Sequence, residues 1–244
     1  MRQYLVALGL FFSLSANVSA VTLYQSDFES AVDTGTNIVD GPYSLIQGVG
    51  DVSLGTFGAL DQTALIFNQE SGQDGEGLEL DLGLGYSSYH IEFDLYSSNL
   101  IDSQHSFGIG FDSSHPEQVL RFGNCCNNAV YMFNGSTNSL GYLIDDQLLQ
   151  VSIDIDLTNS LWSASVAGIG GDTVSLSSGQ ADVETLRFMF GSAHGAVGPD
   201  PSVTVGMDNL TITASGAPVP LPAAIWLFGS ALAGLGWLRR RPVL

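Results

Sequence analysis

The sequence predicts an all-β fold, a sandwich or barrel, and three observations predict it. Period-two alternation dominates the middle of the chain and is unbroken in "LQVSIDIDL" (Leu149 to Leu157), where odd positions are apolar and even positions polar. Many short apolar alternations recur between Gly, Ser, Asn and Asp turns, and the 29 glycines match that turn load. Between the two ends no stretch carries the 3.6-residue period of a soluble amphipathic helix.

Taken in chain order, residues 1–20 read as a secretory signal peptide. Arg2 supplies the positive charge, Tyr4 to Leu14 the apolar stretch, and Val18-Ser19-Ala20 the small residues of a signal-peptidase site. The apolar stretch is about half of the roughly 20 residues that span a bilayer, which argues against a first transmembrane helix. A β-sandwich ectodomain is expected over 21–216. Its strands fall at Tyr43 to Ile46, Ala64 to Phe67, Leu78 to Leu82, Phe107 to Phe111, Ala129 to Phe133, Leu186 to Phe190 and Val203 to Thr213. Tyr89 to Leu95 alternates with Tyr89, Ile91, Phe93 and Leu95 inward and His90, Glu92 and Asp94 outward. Thr158-Asn159-Ser160 separates "LQVSIDIDL" from "LWSASV", whose Trp162, Ala164 and Val166 share a face, so a hairpin is expected there. In the last strand the apolar set runs Val203, Val205, Met207 and then moves to Leu210 and Ile212. That phase slip at Asp208-Asn209 predicts a β-bulge.

The succession of a first strand ending "DFES", a "HIEFDLYS" strand, an "LQVSIDIDLTNSLWSASVAG" hairpin, a "TLRFMFG" strand and a closing "VGMDNLTITA" resembles the concanavalin A-like, laminin-G-like jelly rolls of exported bacterial proteins. The resemblance implies a jelly-roll sandwich. It also directs attention to three kinds of site. Retaining glycosidases of this fold carry carboxylates on one strand in an E-x-D-x-x-E or E-x-D-x-E pattern; Glu92-Phe93-Asp94 supplies the first half, but Tyr96, Ser97 and Ser98 stand where the second carboxylate would be. Hydrolysis is therefore disfavoured, and no catalytic residue is assigned. Glycan binding would need an exposed aromatic platform, for which Tyr86, Tyr89, Tyr96, Tyr131, Tyr142 and Trp162 are available, with Tyr89 and Trp162 expected in the core. A structural Ca²⁺ would need oxygen ligands where the two ends of the sandwich meet, and Glu29, by the first strand, and Asp208, at the bulge, are the candidates.

Charge excludes further classes. The chain has six cationic side chains, all arginine, and only Arg121 and Arg187 lie between the terminal segments; set against 25 acidic residues they leave the middle at a formal −23. Such a surface repels nucleic acid and anionic lipid and suits a soluble extracellular protein. His90, His105, His115 and His194 lack metal-ligand spacing, and no nucleophile elbow or phosphate-cradling loop is present in the sequence, so no cofactor is expected beyond the calcium ion. Cys125-Cys126 can form neither a disulfide framework nor a zinc site. A strained ring between them, an intermolecular bridge and two free thiols all stay open.

The tail, 217–244, carries the most specific signal. Val219-Pro220-Leu221-Pro222-Ala223 precedes an uncharged run, Ala223 to Leu238, and Arg239-Arg240-Arg241. As a helix the run is about 24 Å long at 1.5 Å per residue, marginal for a hydrocarbon core of about 30 Å, and the arginines would stay cytoplasmic. Motif, apolar run and basic cluster in this order resemble the PEP-CTERM sorting signal, in its VPLPA-type variant, of Gram-negative bacteria. That resemblance implies export, a membrane intermediate held by the tail, processing by an exosortase-type enzyme, and delivery to a cell surface or matrix rich in polysaccharide. Leu221 replaces the glutamate of the PEP triplet, which implies a variant exosortase. The expected outcome is a mature protein whose C-terminus, by mass spectrometry, lies near Val219 to Ala223. Changing Pro220 and Pro222 to alanine should leave unprocessed protein in the inner membrane, because the prolines keep the segment extended and accessible; an intact tail on the mature protein would identify a plain anchor instead.

Overall fold

Seventeen strands and no helix make up the described residues of the computed structural model, which are 20–35, 37–41, 43–47, 51–60, 63–69, 77–83, 85–101, 105–111, 118–123, 129–176, 183–192 and 203–216. In chain order these are β1 (Ala20–Ser26), β2 (Val32–Asp33), β3 (Asn37–Asp40), β4 (Tyr43–Gln47), β5 (Asp51–Gly55), β6 (Ala64–Gln69), β7 (Gly77–Asp81), β8 (Tyr86–Ser98) and β9 (His105–Phe111). They continue as β10 (Gln118–Gly123), β11 (Ala129–Asn134), β12 (Thr137–Tyr142), β13 (Leu148–Asp156), β14 (Leu161–Val166), β15 (Gly170–Ser175), β16 (Thr185–Ser192) and β17 (Val203–Gly216). The signal-peptide residues before Ala20, Cys125, Cys126 and the whole tail from Ala217 lie outside the described residues.

The strands form two sheets. Sheet A runs β15-β14-β13-β8-β17-β6-β5, with β1 also on β17, and sheet B runs β12-β11-β10-β9-β16-β7-β4-β3-β2. Sequence neighbours such as β8 and β9 stand in different sheets, which is the layout of a β-sandwich of jelly-roll type. Alternation sets the packing. Tyr89, Ile91, Phe93 and Leu95 of β8 and Leu149, Val151, Ile153 and Ile155 of β13 are buried, as the period-two pattern predicts. Aromatic contacts join sheet A to the facing sheet: Phe93 meets Phe188 edge-on at 5.9 Å between centroids, Phe67 of β6 meets Phe107 at 5.2 Å, and Trp162 of β14 meets Phe111 at 5.0 Å.

The β13–β14 hairpin turns where the Asn159 signal places it. Asp156 accepts the Asn159 backbone N–H at 3.0 Å and its side-chain N–H at 2.6 Å, which holds the Asp156 carboxyl below the usual carboxylate range, and Ser160 takes a left-handed φ of 54°. The bulge in β17 is also present. β17 pairs with β6 up to Met207 and with β1 from Leu210 onward, and between them Asn209 has φ 53°. Val205 and Met207 before it and Leu210, Ile212 and Ala214 after it are all buried, so the inserted residue restores an inward apolar set. One boundary differs from the sequence reading: β1 stops at Ser26, and "DFES" forms the following turn. Phe28 there has φ 56° and is wholly buried, its N–H held by the Ser26 hydroxyl at 2.8 Å. Burying that ring ends the strand at Ser26, ahead of the "DFES" stretch expected to close it.

The two faces turned away from the core differ. On sheet B, β9 is buried along its whole length, and Gly108 and Gly110 stand where alternation would otherwise place outward side chains. On sheet A the outward residues of β8, β13 and β14 are at least partly open. Phe188→Ala should lower stability by roughly 3–5 kcal/mol, because Phe188 is fully buried between Phe67 and Phe93. Thr173→Ala on the exposed edge strand should stay within about 0.5 kcal/mol, and urea denaturation of the two variants checks the contrast.

Candidate functional site on the open face of sheet A

Antiparallel pairing arranges the outward side chains of sheet A in rows across the strands. Asp94 stands opposite Gln150; Glu92 opposite Ser152, and Ser152 opposite Ser165; His90 opposite Asp154, then Ser163 and Thr173. A groove of about 710 Å³ opens over the first two rows, lined on its polar side by Glu92, Asp94, Gln150, Ser152, Ser165 and Asn209. The bulge is what brings Asn209 there. Its left-handed backbone, tolerated by asparagine better than by most residues, turns the amide toward β8, where Nδ2 donates to Asp94 Oδ2 at 2.9 Å.

Tyr96, opposite Leu148, continues the outer face of sheet A beyond the Asp94–Gln150 row. The loop after β5 folds back over the sheet, and Phe57 meets the Tyr96 ring edge-on at 5.4 Å and 90°. The approach depends on glycine: a Cβ on Gly58 would collide with the Tyr96 ring, and one on Gly206 with Leu60 and Phe57. Tyr96 donates its hydroxyl to Asp146 Oδ1 at 3.3 Å, while Asp145 accepts the Ser97 hydroxyl and the Ile101 N–H at 2.7 and 2.8 Å, which fixes the loop beneath. Leu148, opposite Tyr96, is exposed, so this end of the face is apolar and the next row is polar.

Two rows from Asp94, His90 bridges two carboxylates, with Nδ1 at 2.7 Å from Asp154 Oδ1 and Nε2 at 3.1 Å from Glu92 Oε1. Partial burial lowers the imidazole's proton affinity, but hydrogen bonding and charge from Asp154, then from Glu92, outweigh it and raise the pKa above 6.5. Both ring nitrogens meet acceptors, and only the imidazolium can donate to both.

The sequence foresaw Glu92 and Asp94 on the outer face, and they are there. It missed Asp154, because alternation places a residue on a face but does not say which neighbouring strand stands beside it. Of the aromatics, Tyr89, Tyr131 and Trp162 are core residues, Tyr142 is exposed, and Tyr96 stands opposite Leu148, one row beyond Asp94 and Gln150. Glu29 lies in the turn beyond β1, where its carboxylate accepts the Thr63 N–H at 2.8 Å and the Thr63 hydroxyl at 3.3 Å. Asp208 is fully buried at the bulge and accepts the Asn209 N–H at 2.7 Å. Among the described residues no group of three or more His, Cys, Asp or Glu is placed to hold a metal ion, and no helix is long and apolar enough to cross a membrane.

No protein-family model and no curated protein sequence matches the chain. Solved structures do. A sialidase superposes with a TM-score of 0.60 at 14% identity, over 78% of this chain and 18% of the sialidase. The binding domain of botulinum neurotoxin serotype D/C gives 0.53 at 12% identity, over 80% of this chain and 49% of that one. The serotype C1 binding domain gives 0.52 at 14%, over 86% and 52%. The chain thus spans under a fifth of the sialidase and about half of each binding domain, and at these identities the likeness is one of fold.

The bridge makes a pH prediction. A histidine whose pKa is raised on folding contributes stability that is complete below its unfolded value near 6.5 and is lost as pH rises through the folded value. NMR titration should therefore place the His90 midpoint above 6.5, Asp154→Asn should bring it down, and the pH dependence of thermal stability above about pH 6.5 should flatten in that variant.

Proposed function

We propose that the chain is an exported, cell-surface or matrix protein whose β-sandwich is a lectin-like carbohydrate-binding module, the groove of sheet A being its glycan site. The observation that carries the reading is the Asp94–Asn209 pair, set by the bulge beside Gln150 and Ser152 in an open groove. Sugar hydroxyls both donate and accept, and carboxylate, amide and hydroxyl groups on a rigid sheet answer both needs in fixed directions. An open groove also suits a polymer, which must enter and leave along its length.

The structural relatives are consistent with this reading. One neurotoxin domain of similar fold, at a TM-score of 0.51, is described by cell entry dependent on two ganglioside molecules, and another, also at 0.51, by a complex with SialylT. Binding rather than hydrolysis is favoured because the His90 imidazole sits between Glu92 and Asp154, where a scissile bond would need open space between two carboxyl groups. The reading invokes neither calcium nor any other cofactor. The two terminal segments add the route: signal peptidase at the N-terminus, then a membrane intermediate held by the tail, an exosortase-type enzyme, and release among extracellular polysaccharides, in an adhesive or structural role within a biofilm.

A glycan array probed with the exported protein tests the site. Asp94→Ala and Gln150→Ala should each weaken whatever glycan binds by roughly 10- to 100-fold, the loss of one or two hydrogen bonds to a charged or amide group, with circular dichroism unchanged. Silence across the array would leave only a structural matrix role.

A further inference from the structure

We infer that the sheet A groove selects uncharged and amine-bearing glycans and rejects anionic ones, so that its ligands differ in charge from the sialylated and ganglioside ligands named for the neurotoxin domains. The inference rests on the carbohydrate reading of the groove and adds its charge class. Three observations support it. The ectodomain sequence, 21–216, holds two arginines and no lysine, and both arginines belong to sheet B: Arg121 in β10, and Arg187 in β16, where Glu79 already pairs with it at 2.8 Å. A sugar carboxylate in the groove would find no guanidinium fork to receive it.

The groove itself presents Glu92 and Asp94, with Asp154 one row beyond. Asp94 is partly offset by the Asn209 amide, a neutral donor, and no cation of sheet A stands beside it. The third observation is His90, whose ring nitrogens are both directed to Asp154 and Glu92. The imidazole is the one side chain of this face, among the described residues, that can become positive, and its protons are committed to those two carboxylates. It lowers the local negative charge when protonated without presenting a donor to a ligand. The neutral groups that remain, Gln150, Ser152, Ser165 and Asn209, can bind hydroxyls or an acetamido group, and a protonated amino sugar would meet carboxylates on one side.

The experiment compares matched glycans on one array: a neutral backbone, the same backbone with a free amine, and its sialylated or uronic counterpart, at about 10 mM and at about 150 mM salt, where the Debye length falls from about 30 Å to about 8 Å. The neutral and amino forms should bind, and the anionic form should bind at least tenfold more weakly at low salt. Each carboxylate within about 4–6 Å of the ligand charge should account for about a three- to fivefold share of that ratio, so Glu92→Gln should narrow it by that amount and higher salt should narrow it further. Equal or preferred binding of the anionic form would overturn charge selection while leaving the carbohydrate site standing. A ratio indifferent to both salt and Glu92→Gln would overturn it as well, since the discrimination would then be steric. Failure of all three glycans to bind would remove the carbohydrate reading and this inference with it.

Discussion

One inserted residue in β17 sets the terms for the rest of sheet A. β17 lies next to β8 on one side, and on its other side it must serve two partners in turn, β6 up to Met207 and β1 from Leu210. A strand with an unbroken period of two could not follow Val203, Val205 and Met207 with Leu210 and Ile212 on the same inward face. Asn209 absorbs the odd residue in a left-handed conformation. The cost of φ 53° is small for asparagine, and the buried Asp208 carboxylate beside it accepts the Asn209 N–H at 2.7 Å. The same device therefore closes the N-terminal strand onto the sheet and carries an amide to the groove. Packing and the candidate site share one cause.

Much of this was legible in the sequence, for a definite reason. Wherever one face of a strand is buried and the other wet, as in β8 and β13, the alternation reports both faces, and Glu92 and Asp94 could be placed outward from the residue order. The bulge was legible because it displaces apolar residues that a reader can see. β9, β10 and β11 are buried on both faces over most of their lengths, so their alternation carries less information; β9 and β11 were placed from their apolar runs, and β10 was not read as a strand. Short β2, β3 and β5 hold too few residues to show a period at all.

What the sequence could not supply was adjacency. His90 and Asp154 are 64 residues apart, and only the pairing of β8 with β13 makes them neighbours at 2.7 Å. The same holds for Asn209 with Asp94 and for Phe57 with Tyr96. Each of these contacts joins segments distant in sequence. A carboxylate absent from its expected place on β8 can thus be provided from β13, and a motif confined to one strand would not register it. With His90 between the two acids, the result is a held charge cluster in place of an open pair.

The uneven distribution of charge follows from the same geometry and bears on what the face can bind. A formal −23 spread evenly over the surface would oppose folding by self-repulsion and would distinguish no ligand from another. Here Arg187 and Glu79 neutralise each other on sheet B, and the sheet A carboxylates are offset by an imidazole and an amide, groups that neutralise partly and occupy little room. An arginine at position 90 would quench Glu92 and Asp154 more completely, but its fork would reach further and offer spare donors to a sugar acid. Histidine holds the two carboxylates in place and leaves the face negative at neutral and alkaline pH. The arrangement that keeps these acids compatible with the fold therefore also sets the charge that the open face presents.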